Sequence, residues 1–138
     1  MPTETLHSRE VADAAGVNVE TLRYYERRGI LRAPRRNRAG YRQYAPEAVG
    51  VVRFIKRAQG LGFALDEIEE LLALRRPRRG RCAEVGRAAS SKIAEIDRKL
   101  AALTAMRAAL VDLAAACTRD EAQLACRLID ELDDGVRA

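Results

Sequence analysis

A chain of 138 residues with 25 Lys and Arg against 20 Asp and Glu carries a formal charge of +5, and it has room for one compact domain or for a small globular part joined to an extended helix. No uninterrupted apolar run approaches the ~18 residues that cross a bilayer, and the opening residues lack the basic-then-apolar order of a secretory signal, so the expectation is a cytoplasmic chain with no membrane partner and reduced thiols. Three cysteines, an odd count in a reducing compartment, argue against a disulfide framework, and a single histidine with no Ser/His/Asp set or phosphate-binding glycine loop argues against an enzyme.

Charge is unevenly placed. Residues 1–81 hold 17 basic and 10 acidic side chains, whereas residues 82–138 hold 8 and 10, so the halves are suited to different partners. Between residues 23 and 57 stand 11 basic groups and only two acidic ones, Glu26 and Glu47, a concentration that fits a polyanion such as double-stranded DNA.

In chain order, Ser8 to Gly16 places Val11 and Ala14/Ala15 at helical spacing behind a Ser cap and ahead of a glycine stop. A second helix follows at once, capped by Asn18, with Val19, Leu22 and Tyr25 at three-residue intervals and Thr21, Arg23, Tyr24 and Arg27 projecting elsewhere before Gly29. Two short helices joined by Gly16-Val17-Asn18 predict a helix-turn-helix, whose second helix enters a major groove. The stretch from Arg32 to Tyr44 has a turn signal around Arg38, from Asn37 to Gly40, between short extended arms, and predicts a two-stranded wing. Within it Tyr41 and Tyr44 flank Arg42, so a hydroxyl and a guanidinium are placed to reach phosphate or sugar. Pro46 opens a further helix with Val49, Val52 and Ile55 as its apolar stripe and Arg53, Lys56 and Arg57 as basic groups. After Gly60-Leu-Gly62, Leu65, Ile68, Leu71 and Leu72 mark another helix, with Asp66 and Glu67 in its first turn and Arg75 and Arg76 in its last, stopped by Pro77.

The segments LRYYERRGIL, NRAGYRQY and IKRAQGLGFALDEI, in that order over roughly the first 75 residues, resemble the DNA-binding half of the MerR family of transcription regulators. The resemblance implies a winged helix-turn-helix homodimer on promoter DNA that distorts the duplex when its effector binds, so that RNA polymerase can use the promoter. It implies DNA contacts by Arg23 and Tyr24 of the recognition helix and Tyr41 and Arg42 of the wing; Thr21, Arg38 and Arg53 complete the candidate DNA-binding set.

The C-terminal half is read by itself. Residues 84–115 contain no proline and one early glycine, which predicts a long helix. Ala89, Ile93, Ile96, Leu100, Leu103, Leu110 and Ala114 recur on alternating three- and four-residue steps, with Arg107 at the intervening seam position, while Lys92, Glu95, Arg98 and Lys99 occupy the opposite face; this is a coiled-coil repeat, with Ile93, Ile96, Leu100, Leu103 and Leu110 as the dimer interface. The expected architecture is mainly α: a winged helix-turn-helix domain (1–75), a basic connector (76–83), an antiparallel coiled-coil dimerisation helix (84–115), and a metal-binding loop with the C-terminal segment (116–138).

Cys82 stands before the predicted helix and Cys117 after it, ~52 Å apart along a continuous helix, whereas sulfurs sharing one metal lie within a few ångströms. An antiparallel dimer removes the conflict by bringing Cys82 of one protomer to Cys117 and Cys126 of the other, with two sites per dimer. Three thiols without a nearby histidine favour a soft ion, and the pattern Cys82, Cys117, Cys126 is similar to the mercury-responsive members of the MerR family, which implies Hg(II) as effector; Arg127 departs from the proline usual after the last cysteine there. Lead(II) or cadmium(II) is the alternative within the family, and a thiol-redox-responsive DNA-binding protein the alternative outside it.

Overall fold

The computed structural model describes residues 4–119 and 126–133. They form α1 (Ser8–Ala15), α2 (Val19–Arg27), β1 (Arg35–Arg36), β2 (Arg42–Gln43), α3 (Glu47–Gly60), α4 (Leu65–Ala73), α5 (Arg81–Arg119) and α6 (Arg127–Asp133). The chain divides into two compact units, Met1–Ala89 and Ser90–Ala138.

In the first unit, α1 and α2 are joined by a turn that only certain residues permit. Gly16 takes φ 74° and ψ 32°, a left-handed conformation that costs a side chain about 1–2 kcal/mol, and the Val17 N–H reaches back to the Ala12 carbonyl at 2.9 Å. The same arrangement ends α2, where Gly29 has φ 75° and the Ile30 N–H bonds the Tyr25 carbonyl at 3.1 Å; both are glycine-terminated helix ends that satisfy otherwise unpaired carbonyls. Asn18 caps α2 as expected, its side chain accepting from the Thr21 N–H at 2.8 Å. The cap of α1 is His7, without a side-chain bond, and Ser8 is already helical, which corrects the expected Ser cap by one residue.

The core of this unit gathers Val11, Ala12, Leu22, Tyr25, Ile30, Leu31, Tyr44, Val52, Ile55, Ala58 and Ile68. Burial of such side chains is worth roughly 1.5–3 kcal/mol for each large one. Tyr25 buries its ring while its hydroxyl donates to Gln59 Oε1 at 2.7 Å, tying α2 to α3 through a satisfied polar tip. Strands β1 and β2 pair antiparallel, Arg35 with Gln43 and Arg36 with Arg42, and an isolated antiparallel bridge joins Leu6 to Tyr44 through two 2.8 Å hydrogen bonds.

Helix α4 begins with the Glu67 carboxylate accepting from the Ala64 N–H at 2.8 Å, one half of a capping box. It ends at Ala73, so Arg75 and Arg76 lie beyond it rather than in its last turn. The Arg75 guanidinium instead rests 5.4 Å from the centre of the Phe54 ring, with an Nη 3.5 Å from where a side chain on Gly50 would begin. The chain just beyond α4 is thereby stacked on α3 by a cation–π contact.

Helix α5 runs for 39 residues, starting earlier and ending later than the expected 84–115. Its glycine and its β-branched residues are few, and alanine and leucine carry it. Cys82 therefore lies in its first turn and Cys117 in its last, both inside the helix rather than flanking it. By length and composition alone α5 is apolar enough to cross a membrane, a test that the core helix of a soluble protein also passes. Lys92 is 6% exposed and pairs with Glu95 at 2.8 Å, so it does not lie on an open polar face as expected. Lys99 also binds Glu95, at 3.0 Å, and the Lys92 and Lys99 hydrogen bonds hold the Glu95 carboxyl down to about 2. Residues 120–125 of the expected metal-binding loop lie outside the described residues; beyond them α6 is a helical segment of residues assigned to that loop and the C-terminal segment.

Candidate nucleic-acid interface and thiol positions

The recognition helix presents two of its candidate contacts openly. Arg23 is exposed and only loosely paired, 3.5 Å from Glu20, and Tyr24 is 39% exposed with the Arg28 guanidinium 5.9 Å from its ring centre. Arg28 also donates to the Tyr24 hydroxyl at 3.4 Å, a neighbour that periodicity alone did not single out. Thr21 is half-buried, and its hydroxyl donates to Asn18 Oδ1 at 2.8 Å, so it serves the cap as well as the outer face.

The wing is organised by Asn37. Its side-chain oxygen accepts from the N–H groups of Ala39 and Tyr41, each at 3.0 Å, and its backbone pairs with Tyr41. An asparagine at the start of a turn makes such local bonds readily. The tip therefore carries Arg38, exposed, and Tyr41, 66% exposed, on a closed hairpin. Arg36 reinforces it by donating to the Gly40 carbonyl at 2.9 Å.

Three candidates take other partners. Tyr44, grouped with Tyr41 on sequence, is 2% exposed, because alternation along the strand turns it into the core. Its hydroxyl donates to Glu26 Oε2 at 3.0 Å; burial first, then that bond and the Glu26 charge, push its pKa up to about 12. Arg42 is half-buried, its Nε 3.1 Å from Glu26 Oε2 and 3.4 Å from Oε1. Arg53 donates through Nε and Nη to the Ala14 carbonyl at 3.1 and 2.7 Å, so two of its donors hold the end of α1. Sequence reasoning gave Glu26 no role; its one signal was its position as one of two acids in a basic run.

Among the described residues, no three His, Cys, Asp or Glu side chains gather into a metal-sized group. Cys82 and Cys117 are exposed and Cys126 is half-buried, all three as free thiols. Cys82 borders an open groove of about 1060 Å³ lined by Phe54, Leu61, Leu71 and Val85. Cys82 lies in the first turn of α5 and Cys117 in its last. The dimer-interface candidates Ile93, Ile96, Leu100, Leu103 and Leu110 are 40% to 59% exposed.

A family profile described as MerR HTH family regulatory protein matches residues 6–74, and one described as MerR, DNA binding, matches residues 49–113. The chain belongs to the MerR family. It is 43% identical to the mercuric resistance operon regulatory protein of Pseudomonas fluorescens over 90% of this chain and 85% of that protein. Its fold is similar to that of MerR from Bacillus megaterium MB1 solved with mercury(II), at a TM-score of 0.67 and 37% identity, covering 88% of this chain and 94% of that one. It is also similar to the regulator PbrR691 from Ralstonia metallidurans CH34 solved with lead(II), at a TM-score of 0.72 and 34% identity, covering 81% and 87%.

Proposed function

We propose that this MerR-family chain is a mercury-responsive regulator of transcription, rather than an enzyme, that acts in the cytoplasm as a homodimer on double-stranded promoter DNA and governs its use by RNA polymerase. The observation that carries the reading is the placement of the thiols: Cys82 opens α5 and Cys117 closes it, so a site using both within bonding distance of one ion draws on two chains. Cys82 of one protomer with the partner subunit's Cys117 and Cys126 would hold the effector. The donor set fits it, since thiolates select soft ions without a nitrogen ligand. Bound Hg(II) would supply a bond between the two chains, and the protein's part is to carry that constraint along α5 to the DNA-binding units. Two relatives support the metal, one named for mercuric resistance and one solved with mercury(II).

On the DNA side, Arg23, Tyr24, Arg38 and Tyr41 remain exposed for phosphate, sugar or base contacts, with Thr21 at the edge of that face. The roles of Arg42 and Arg53 shift toward holding the interface in shape. Ile93, Ile96, Leu100, Leu103 and Leu110 form the dimer seam. The experiment is a titration of the purified dimer with Hg(II) in competing thiol, followed by ultraviolet absorption and by transcription from a promoter that the protein binds. Absorption from thiolate-to-metal charge transfer together with switched transcription is the expected result. Lead(II) acting at lower concentration would support the second reading, a lead-responsive regulator, which the likeness to the lead-bound structure favours. Switching by peroxide with no response to any of these metals, cadmium(II) included, would replace both readings with thiol oxidation.

A further inference from the structure

Glu26 is an acid on the very helix offered to a polyanion, and its surroundings show what holds it there. Its side chain is 12% exposed, and it receives the two groups that begin the second arm of the wing: the Arg42 guanidinium at 3.1 Å and the Tyr44 hydroxyl at 3.0 Å. Tyr44 is itself anchored, buried in the core and paired through its backbone with Leu6. One carboxylate on α2 thus fixes the position of β2, and with it the hairpin that carries Arg38 and Tyr41. The ladder between β1 and β2 is two residue pairs long, too short to hold its own orientation.

We infer that Glu26 is a positioning residue for sequence discrimination: it sets the spacing between recognition helix and wing and keeps Arg42 from acting as an unconstrained phosphate-binding charge. The inference rests on the DNA-binding reading above. A helix read by its bases and a wing held on the backbone discriminate only when both seat in one register. An unpaired arginine, in contrast, attracts every duplex alike. Glu26 therefore lowers affinity for arbitrary DNA and raises the selectivity of what remains, without itself touching DNA.

The test compares the wild-type dimer with Glu26→Gln and Glu26→Asp, using a duplex that the wild type selects from a random pool and a shuffled duplex of equal length. Gln still accepts from Tyr44 but releases the Arg42 charge. For Glu26→Gln we expect tighter binding of the shuffled duplex, a salt dependence steeper by up to about 0.9 in log–log slope for each protomer on the duplex, and a specific-to-shuffled affinity ratio lower by about tenfold, as loss of one charge-assisted contact converts to affinity. Adding Arg42→Gln to Glu26→Gln should return the slope to its wild-type value or below. Glu26→Asp keeps the charge and withdraws it by one carbon, so the ratio should fall with the slope unchanged; this variant also carries the test if Glu26→Gln fails to fold. An unchanged ratio in the folded variants overturns the inference, as does an equal gain in affinity for both duplexes, which would be charge alone. Failure of the wild type to bind any duplex would instead bring down the DNA-binding reading, and the inference with it.

Discussion

Replacing Arg53 by Ala separates two roles for one guanidinium. Its Nε and Nη donate to the Ala14 carbonyl at 3.1 and 2.7 Å, and Ala14 lies in the last turn of α1, where carbonyls lack helical partners. A hydrogen bond from a charged donor is worth roughly 1.5–3 kcal/mol, and because Arg53 is exposed, solvent competition reduces this to about 1–2 kcal/mol. The favourable placement of a cation at a helix C-terminus is part of that sum. In a unit of this size each kcal/mol moves the melting temperature by about 4–8 °C. Denaturation without DNA, at matched protein concentration because the stability of any oligomer depends on it, should therefore show Arg53→Ala melting earlier, with Arg53→Lys intermediate since an ammonium lacks the fork. DNA binding compared well below the melting range should keep its salt dependence. If Arg53→Ala melted like the wild type while the log–log salt slope fell by about 0.9 for each protomer on the duplex, the helix-end clamp would be refuted and a phosphate contact would replace it.

Heterodimers of Cys82→Ser with the double variant Cys117→Ser, Cys126→Ser should regain one tight Hg(II) site that neither homodimer has, read by absorption in competing thiol; no recovery in verified heterodimers would exclude a site shared between chains. Tyr44 keeps its proton to about 12 when folded, against 10.0 as a free side chain, so between those values the unfolded chain binds fewer protons and stability falls as pH rises, by at most about 2.7 kcal/mol. Urea denaturation across that window should show a shallower decline for Tyr44→Phe, and parallel curves would count against the assigned shift. Asn18→Ala removes the 2.8 Å bond to the Thr21 N–H and should lower stability by about 1 kcal/mol, measured by thermal melting, with a neutral result showing that water replaces the cap.

Local chemistry was sufficient for the order of elements. Gly16, Asn18 and Gly29 punctuate two helices through bonds within a few residues of themselves, and the turn at Asn37 to Gly40 is closed by the Asn37 side chain, so each could be read from a short window. The helical course of α5 was legible for the same reason, because the spacing of its apolar residues is a property of one helix. Helix limits were less so: Arg81 to Ala83 and Ala116 to Arg119 form turns that repeat-based reading left out, and this moves Cys82 and Cys117 inside the helix.

Partner choice belonged to the tertiary structure. Arg42 and Arg53 look alike in sequence as basic groups on a basic surface, yet one meets a carboxylate 16 residues away and the other a carbonyl 39 residues away. A long side chain takes whichever acceptor the fold brings within about 3 Å, and no local pattern encodes that meeting. Glu26 shows the converse, since composition registers it as one negative charge among positives. Only the packing of α2 against β2 turns it into the joint between helix and wing.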